Sequence, residues 1–288
     1  MTDPMRIVDA HVHFWDPGQL HYPWLKDTPE LQRAFLPSDL PALADGVLEG
    51  VVFVEANCRI TEHSGELDFI DTLADAGARI LGAVAFIYVC DGVRRTAALQ
   101  DLERRARMVG VRHNIQHQPT GFSIQAEFVR GVQEVGRLGL TFDLCITASQ
   151  LPEVTALVRQ CPNTSFLLDH CGKPDIGGDA FEPWATELQR LADYGNVACK
   201  LSGLLSEARP DQRTAAGLLP FARHAMECFG PNRLLYASDW PVVTTVGGEP
   251  LWRALVHEFT SDWSSAARQA FFCDNAVRFY GIRHDARA

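Results

Sequence analysis

The chain has 288 residues, 47% of them apolar and 22% charged, a composition typical of a folded globular protein. Its net charge of −10 argues against nucleic acid or an anionic membrane as a partner, and no apolar run approaches the roughly 18 residues of a membrane helix. Composition does not change along the chain, so residues 1–288 are predicted to form one domain, a size that is ordinary for a single α/β barrel.

Short β-branched runs recur along the chain and predict eight strands. They cover residues 6–10, 50–55, 80–87, 109–115, 141–146, 164–169, 196–202 and 233–238. Most are continuous apolar runs, which are typical of parallel strands covered on both faces. Helical patterns are found between them, among them residues 64–77, 96–108, 149–160 and 184–196, and two more, 249–260 and 264–280, follow the last strand. Eight strands alternating with helices predict an α/β fold of the (β/α)₈ TIM-barrel type.

The longest predicted loop, residues 14–38, follows the first strand and contains several aromatic side chains, Trp24 among them. In a barrel this loop lies over the C-terminal face, where active sites form. Aromatic faces pack well against sugar rings. We therefore expect Trp24, and Trp240 just after the eighth strand, to contact a substrate.

Two histidines, His11 and His13, stand at the end of the first strand in the sequence RIVDAHVHFW. Side chains two residues apart on a strand point to the same side. Two imidazoles at the barrel mouth can bind one divalent metal ion or donate two hydrogen bonds to one substrate oxygen.

Polar residues also end four other predicted strands. They are Glu55, the pair Arg112 and His113, His170, and Asp239. Burying such side chains unpaired would cost several kcal/mol each, so we interpret them as site residues rather than core. Adjacent strand residues point to opposite faces, but a frayed strand end would let both Arg112 and His113 reach the substrate. Glu55 is expected to bind a substrate hydroxyl or a metal-bound water.

Three of these motifs together carry a family resemblance. VDAHVHFW, LDHCGKP and SDWP resemble the amidohydrolase superfamily, and more narrowly its lactonase branch, whose members include sugar lactonases and 2-pyrone-4,6-dicarboxylate lactonase. The motifs YPWL, GVRH and NAVRFYG also fit that branch, and the resemblance runs from residue 6 to about residue 280. It implies an amidohydrolase-type barrel with His11 and His13 as the strand 1 ligand pair, His170 as the strand 6 histidine and Asp239 as the strand 8 aspartate.

Two departures from the superfamily pattern limit the metal content. Binuclear members carry a bridging lysine or glutamate at the end of strand 4, where this chain has Arg112, His113 and Asn114. Many members have a histidine after strand 5, and TFDLCITASQ has none. We therefore expect at most one divalent metal ion, Zn²⁺ first, with His11, His13 and Asp239 as its ligands; a metal-independent reaction stays open.

The expected reaction is hydrolysis of a sugar lactone to the sugar acid. Asp239 is the candidate general acid/base, while His11, His13 and His170 polarise the carbonyl directly or through one metal ion. A carboxylate of ordinary pKa is a weak base, so either the site raises the pKa of Asp239 or a metal acidifies the water.

The choice of lactone rests on charge and on the resemblance. A dicarboxylate substrate calls for several converging arginines, which the strand ends do not supply. A neutral aldonolactone is therefore preferred, with L-fucono-lactone first on the resemblance, which implies a role in L-fucose catabolism. The alternatives are a 2-pyrone-4,6-dicarboxylate-type lactonase, a zinc-dependent nonoxidative decarboxylase and a barrel that only binds a carbohydrate or acid. The sequence gives no oligomeric state.

Eight cysteines are present, and none form a Cys-x-x-Cys pair. The first residues, MTDPMRIVDAH, lack the basic start and long apolar core of a signal peptide. Free thiols are typical of a reducing compartment. We therefore expect free cysteines and a cytoplasmic protein.

Overall fold

The predicted barrel is confirmed by the structure, a computed structural model that describes residues 4–43 and 46–282. Eight parallel strands form one sheet in chain order. They are β1 (Arg6–Val12), β2 (Val47–Val54), β3 (Ile80–Phe86), β4 (Met108–Arg112), β5 (Thr141–Leu144), β6 (Ser165–Leu168), β7 (Val197–Leu201) and β8 (Leu234–Tyr236). A parallel bridge between Val12 and Trp240 brings the end of β1 to the segment after β8, so the sheet closes nearly into a barrel.

Helices separate the strands and cover the outside of the barrel. They are α1 (His63–Asp75), α2 (Gly92–Leu102), α3 (Ala126–Arg137), α4 (Leu151–Gln160), α5 (Trp184–Ala192), α6 (Leu204–Glu207), α7 (Ala215–Phe229), α8 (Glu249–Phe259), α9 (Ser265–Gln269) and α10 (Asn275–Phe279). The predicted helix 264–280 is interrupted by a π-helical turn at Ala270–Asp274. Among the described residues, no helix is both long and apolar enough to cross a bilayer.

The helix predicted over residues 96–108 begins and ends earlier in the structure. Asp91 caps α2, because its carboxylate accepts hydrogen bonds from the backbone N–H groups of Val93 and Arg94 at 3.1 and 3.0 Å. At the other end, Ala83 N–H donates to the Arg107 carbonyl at 2.7 Å, so the backbone there already belongs to the sheet. The apolar pattern alone did not reveal this cap or this strand pairing.

The long loop after β1 folds over the C-terminal end of the barrel. Three short 3₁₀ turns, Pro23–Asp27, Pro29–Leu31 and Pro37–Asp39, each begin with a proline, whose fixed φ suits a first helical position. Trp15 anchors the loop: its indole N–H lies 3.2 Å from the Leu31 carbonyl and 2.9 Å from the Arg33 carbonyl.

All eight cysteines are free thiols, as expected from the sequence.

Candidate active site

A cavity of about 170 Å³ lies at the C-terminal end of the barrel. Its lining comes from six strand ends and from the loop after β1. The lining residues are His13, Trp24, Ala56, Asn57, Arg112, Asn114, Gln116, Cys145, His170, Lys173, Asp239 and Val242. Drug-sized ligands occupy roughly 300–1,000 Å³, so this cavity suits a single small ring.

Backbone contacts between β1 and the segment after β8 place His11 beside Asp239. Asp239 N–H donates to the His11 carbonyl at 3.0 Å, and His13 N–H donates to the Trp240 carbonyl at 2.8 Å. Beneath them, the buried Asp9 carboxylate accepts from the backbone N–H groups of Ser238 and His11 at 2.9 and 3.2 Å. The seam that closes the barrel therefore also positions the site.

Three histidine nitrogens and one carboxylate oxygen converge at the floor of the cavity. The Nε2 atoms of His11 and His13 are 3.2 Å apart. Asp239 Oδ1 lies 3.4 Å from His13 Nε2, 3.7 Å from His11 Nε2 and 4.0 Å from His170 Nε2. We call these four residues the His₃Asp cluster; all four are buried.

Each histidine of the cluster has a separate partner for its other ring nitrogen. Nδ1 of His13 lies 2.8 Å from the Val54 carbonyl, and Nδ1 of His170 lies 2.9 Å from the Ser202 hydroxyl. Nδ1 of His11 lies 3.2 Å from Asp169 Oδ1. In metal-ligating histidines the second ring nitrogen is held by such a partner, and Nε2 is then the nitrogen left to bind the ion.

The His₃Asp cluster fits one divalent metal ion. The Nε2 atoms of His11 and His13 face each other across 3.2 Å, and Asp239 Oδ1 lies within 3.7 Å of both. Two nitrogen ligands of one tetrahedral zinc are separated by roughly 3.3 Å. His11, His170 and Asp239 form a group with the composition and spacing to hold a metal ion.

A buried lysine supports the cluster from below. Lys200 Nζ lies 2.6 Å from Asp143 Oδ2, 2.8 Å from Asp169 Oδ1 and 3.1 Å from His11 Nδ1. Burial lowers the pKa of Lys200, but the two carboxylates raise it above its usual value. Burial opposes ionisation of Asp169, yet Lys200 and then His11 hold its pKa well below its usual range. Tyr280 OH completes the group by donating to Asp143 at 2.8 Å.

A second buried cation joins the same network. Arg112 Nε donates to Glu55 Oε1 at 2.7 Å, its Nη2 donates to the Glu55 carbonyl at 2.7 Å, and its Nη1 lies 3.3 Å from Asp169 Oδ2. Glu55 is fully buried. Together Arg112 and Lys200 face three buried carboxylates, those of Glu55, Asp143 and Asp169.

Electrostatics differ among the members of the cluster. Burial lowers the pKa of His11 well below its usual value, and Lys200 lowers it further. Burial also lowers the pKa of His170 to about 4, so its ring is neutral at pH 7. For Asp239, burial opposes ionisation, but His170 and a hydrogen bond from His13 hold its pKa below the usual value. The site thus presents two neutral imidazoles, those of His11 and His170, and an ionised carboxylate.

Local backbone strain marks two members of the cluster. His170 has φ 54° and Asp239 has φ 61°, the left-handed region that non-glycine residues seldom adopt. Such residues cost about 1–3 kcal/mol each and concentrate at functional sites.

The other sequence-predicted residues are placed as follows. Trp24 lines the cavity, and its indole N–H donates to the Ala56 carbonyl at 2.8 Å. Trp240 is buried against Phe14 and does not line the cavity. Glu55 is buried in its ion pair with Arg112 rather than exposed at the mouth.

His113 lies on the opposite face of the sheet from the cavity. Its ring contacts Phe86, Tyr88, Phe122 and Phe128 at centroid distances of 5.3–5.7 Å. Strand β4 ends at Arg112, and the alternation of side chains continues to His113. Of the adjacent pair, the structure therefore brings Arg112 to the cavity and leaves His113 outside it.

Sequence reasoning missed Lys200, Asp143 and Lys173. Lys200 and Asp143 lie within otherwise apolar strands, and a charge in such a run is the signal that could have identified them. Lys173 lines the cavity, and its ammonium donates to Gln116 Oε1.

We predict that Gly203→Ala displaces His170 and lowers activity by about 10-fold or more. A Cβ at Gly203 would lie 2.5 Å from the His170 Cβ, and Gly203 has φ +72°. Gly139→Ala is the matched control, because Gly139 has φ +74° but no atom lies within 4 Å of the place its Cβ would take. Both variants should lose about 1 kcal/mol of unfolding free energy from the backbone. Equal activities of the two variants would contradict the prediction.

We predict that His113→Phe reduces the acid sensitivity of the fold and leaves activity intact. Burial lowers the pKa of His113 to about 4, with Glu55 opposing and His63 adding to the shift. Between pH ~6.5 and 4 the unfolded chain then binds more protons than the folded protein, so stability falls as the pH falls.

Phenylalanine cannot titrate, so the loss of unfolding free energy between pH 7 and pH 4 should shrink by up to about 3 kcal/mol. Denaturant titrations at both pH values measure this difference. The control is His21→Phe, at an exposed histidine. If the His113→Phe variant were as acid-sensitive as the unmodified protein, His113 would not contribute to the acid sensitivity of the fold and the prediction would be wrong.

A TIM barrel with ionisable residues gathered at the carboxyl ends of its strands has the architecture of an enzyme, and comparison with known proteins identifies its family. The amidohydrolase family model matches residues 8–282. L-fucono-1,5-lactonases from Burkholderia multivorans and Burkholderia ambifaria are 30% and 28% identical to this chain. The alignments cover 98% and 96% of this chain, and 98% and 95% of the relatives.

A solved structure gives the same result. The crystal structure of an amidohydrolase from B. multivorans with bound zinc aligns with a TM-score of 0.86 at 29% identity, over 96% of this chain and 99% of that one. The chain belongs to the amidohydrolase family. With lactonases matching almost its whole length, it is a hydrolase acting on ester bonds.

Proposed function

We propose that this protein hydrolyses a neutral sugar lactone to the sugar acid, with L-fucono-1,5-lactone as the first candidate. The observation that carries the proposal is the convergence of the His₃Asp cluster on a small cavity walled by amide side chains. Asn57, Asn114 and Gln116 line that cavity, and amides donate to and accept from hydroxyl groups. The lactonase relatives support the choice of sugar, and this activity would belong to L-fucose catabolism.

Charge at the cavity favours a neutral ring over a dicarboxylate. Arg112 and Lys173 are the cationic side chains in the described lining. The guanidinium of Arg112 is already bound by Glu55 and Asp169, and Lys173 donates to Gln116. Two carboxylates would therefore compete for one ammonium group, and a neutral lactone needs none.

One divalent metal ion, Zn²⁺ first, is proposed for the His₃Asp cluster. Imidazole nitrogens with one carboxylate oxygen suit Zn²⁺, and the B. multivorans amidohydrolase has bound zinc. Such an ion would polarise the lactone carbonyl and lower the pKa of the attacking water. This matters because Asp239, whose pKa is lowered, is a weak base by itself.

Asp239 carries the proton in the proposed reaction. Its carboxylate accepts a proton from water as the water oxygen bonds to the carbonyl carbon. It then gives the proton to the ring oxygen as the ester bond breaks, which leaves the open-chain hydroxy acid. His13 and His170, both within 4.0 Å of Asp239 Oδ1, position that carboxylate.

A panel of lactones tests the proposal. Acid release is followed with a pH indicator for L-fucono-, L-galactono-, L-rhamnono- and D-glucono-lactones and for 2-pyrone-4,6-dicarboxylate, using metal-loaded and chelated enzyme. We expect the neutral L-sugar lactones to exceed the dicarboxylate by at least about 100-fold in kcat/KM. Activity confined to the dicarboxylate, or carbon dioxide release from an aromatic acid with no acid release from any lactone, would overturn it.

A further inference from the structure

A second group of metal-ligating side chains lies behind the wall of the cavity. It consists of Cys58, His63 and Glu66, whose ligand atoms all lie within 4.8 Å of one another. Cys58 Sγ is 3.4 Å from His63 Nδ1. Cys58 and Glu66 are buried, and His63 is half-buried.

The local fold brings these three residues together without help from the His₃Asp cluster. Cys58 lies in the connection after β2, while His63 and Glu66 are one turn apart at the start of α1 and therefore share a helix face. The ring of His63 stacks on Phe86 at a centroid distance of 4.1 Å, which fixes its plane. Glu66 Oε1 accepts from Ala56 N–H at 3.1 Å, and the Cys58 thiol is hydrogen-bonded to the same carboxyl group.

A buried hydroxyl group beside these residues points to a missing ligand. The hydroxyl of Tyr22 is buried and has no hydrogen-bond partner among the described residues. A buried polar group without a partner needs an explanation such as an ion or a water bound to one.

We propose that Cys58, His63 and Glu66 form a second metal site, separate from the His₃Asp cluster, for a thiophilic divalent cation such as Zn²⁺. One sulfur, one nitrogen and one oxygen ligand are a set that Zn²⁺ accepts, and a buried thiolate excludes Mg²⁺ and Ca²⁺. Binding converts the Cys58 thiol to a metal-bound thiolate and releases its proton to solvent.

This site would stiffen one wall of the cavity. Between β2 and Cys58 the chain passes through Ala56 and Asn57, which both line the cavity, and the Ala56 carbonyl accepts the indole N–H of Trp24. A metal ion that joins Cys58 to α1 would fix this segment at both ends. Its role is therefore structural, and it touches no reacting atom.

Cobalt substitution tests the second site. The chelated full-length protein is loaded with Co²⁺, gel-filtered, and assayed for bound metal and for thiolate-to-cobalt charge transfer in the near ultraviolet. We expect a charge-transfer band that Cys58→Ser abolishes together with one equivalent of bound cobalt. His63→Gln should cause the same loss and gives a second variant if Cys58→Ser does not fold.

Cys145→Ser is the matched control, because Cys145 is also buried and lines the cavity near the His₃Asp cluster. This variant should keep the band. A protein with no thiolate band, or a band that Cys145→Ser removes and Cys58→Ser leaves, would overturn the proposal. The band reports only cobalt bound to the Cys58 thiolate. If the His₃Asp cluster failed to bind cobalt, one equivalent should remain bound at the second site and the band should stay intact.

Discussion

Asp239→Asn should lower kcat/KM for the lactone substrate by at least about 10³-fold while the protein stays folded. An amide cannot accept the proton of the attacking water, and positioned acid–base groups contribute about 10²–10⁴-fold. The substitution also weakens the oxygen ligand of the His₃Asp cluster, in which Asp239 Oδ1 lies 3.4 Å from His13 Nε2. Initial rates of acid release and bound metal, measured on the same preparations, check both effects.

The control for this variant is Asp262→Asn, at an exposed aspartate between α8 and α9. It should leave both the rate and the metal content unchanged. An Asp239→Asn enzyme within about 10-fold of the unmodified rate would remove Asp239 from the chemistry. A loss of rate with full metal content would assign the effect to proton transfer rather than to binding of the ion.

Lys200→Met should lower the free energy of unfolding by about 3–5 kcal/mol, because it removes one partner from a buried ion-pair network. The variant leaves Asp143 and Asp169, both fully buried, without the ammonium at 2.6 and 2.8 Å. Asp169 would also lose the charge that holds it beside His11, so activity should fall as well. Denaturant unfolding at pH 7 gives the energy difference.

The loss of unfolding free energy caused by Lys200→Met should be smaller in acid than at pH 7. Lys200 holds the pKa of Asp169 below its usual value, so the unmodified protein loses stability as the pH falls below ~4. Without the lysine, burial raises the pKa of the same carboxyl group in the folded state. Protonation in acid then removes the unpaired buried charge, so the variant loses less stability than the unmodified protein does. Lys26→Met, at an exposed lysine, is the control. A Lys200→Met protein with the stability of this control at pH 7 would contradict the network.

The mouth of the barrel could be predicted because parallel strands bring their carboxyl ends to one face. His11, His13, His170 and Asp239 each follow an apolar run in the sequence, and the structure brings them within hydrogen-bonding or ion-pair distance of one another. This inference needed only strand direction and strand ends, which apolar runs report well.

The partners of those residues could not be predicted in the same way. Glu55 and Arg112 are 57 positions apart in the chain, and only the closed barrel shows that they neutralise each other. His113 was expected at the cavity because the strand was expected to fray, but β4 alternates through Arg112 and turns the histidine toward Phe128. Lys200 is a visible charge in an apolar strand, but the strand pattern does not reveal its buried partners Asp143 and Asp169.

The rate of acid release from L-fucono-1,5-lactone by the metal-loaded enzyme, measured above the uncatalysed rate, tests the central claim most directly. The account predicts saturable hydrolysis that a chelator abolishes and that one equivalent of Zn²⁺ at the His₃Asp cluster restores. No acceleration over the uncatalysed rate with the fully metal-loaded protein, for this lactone or its L-sugar analogues, would contradict it.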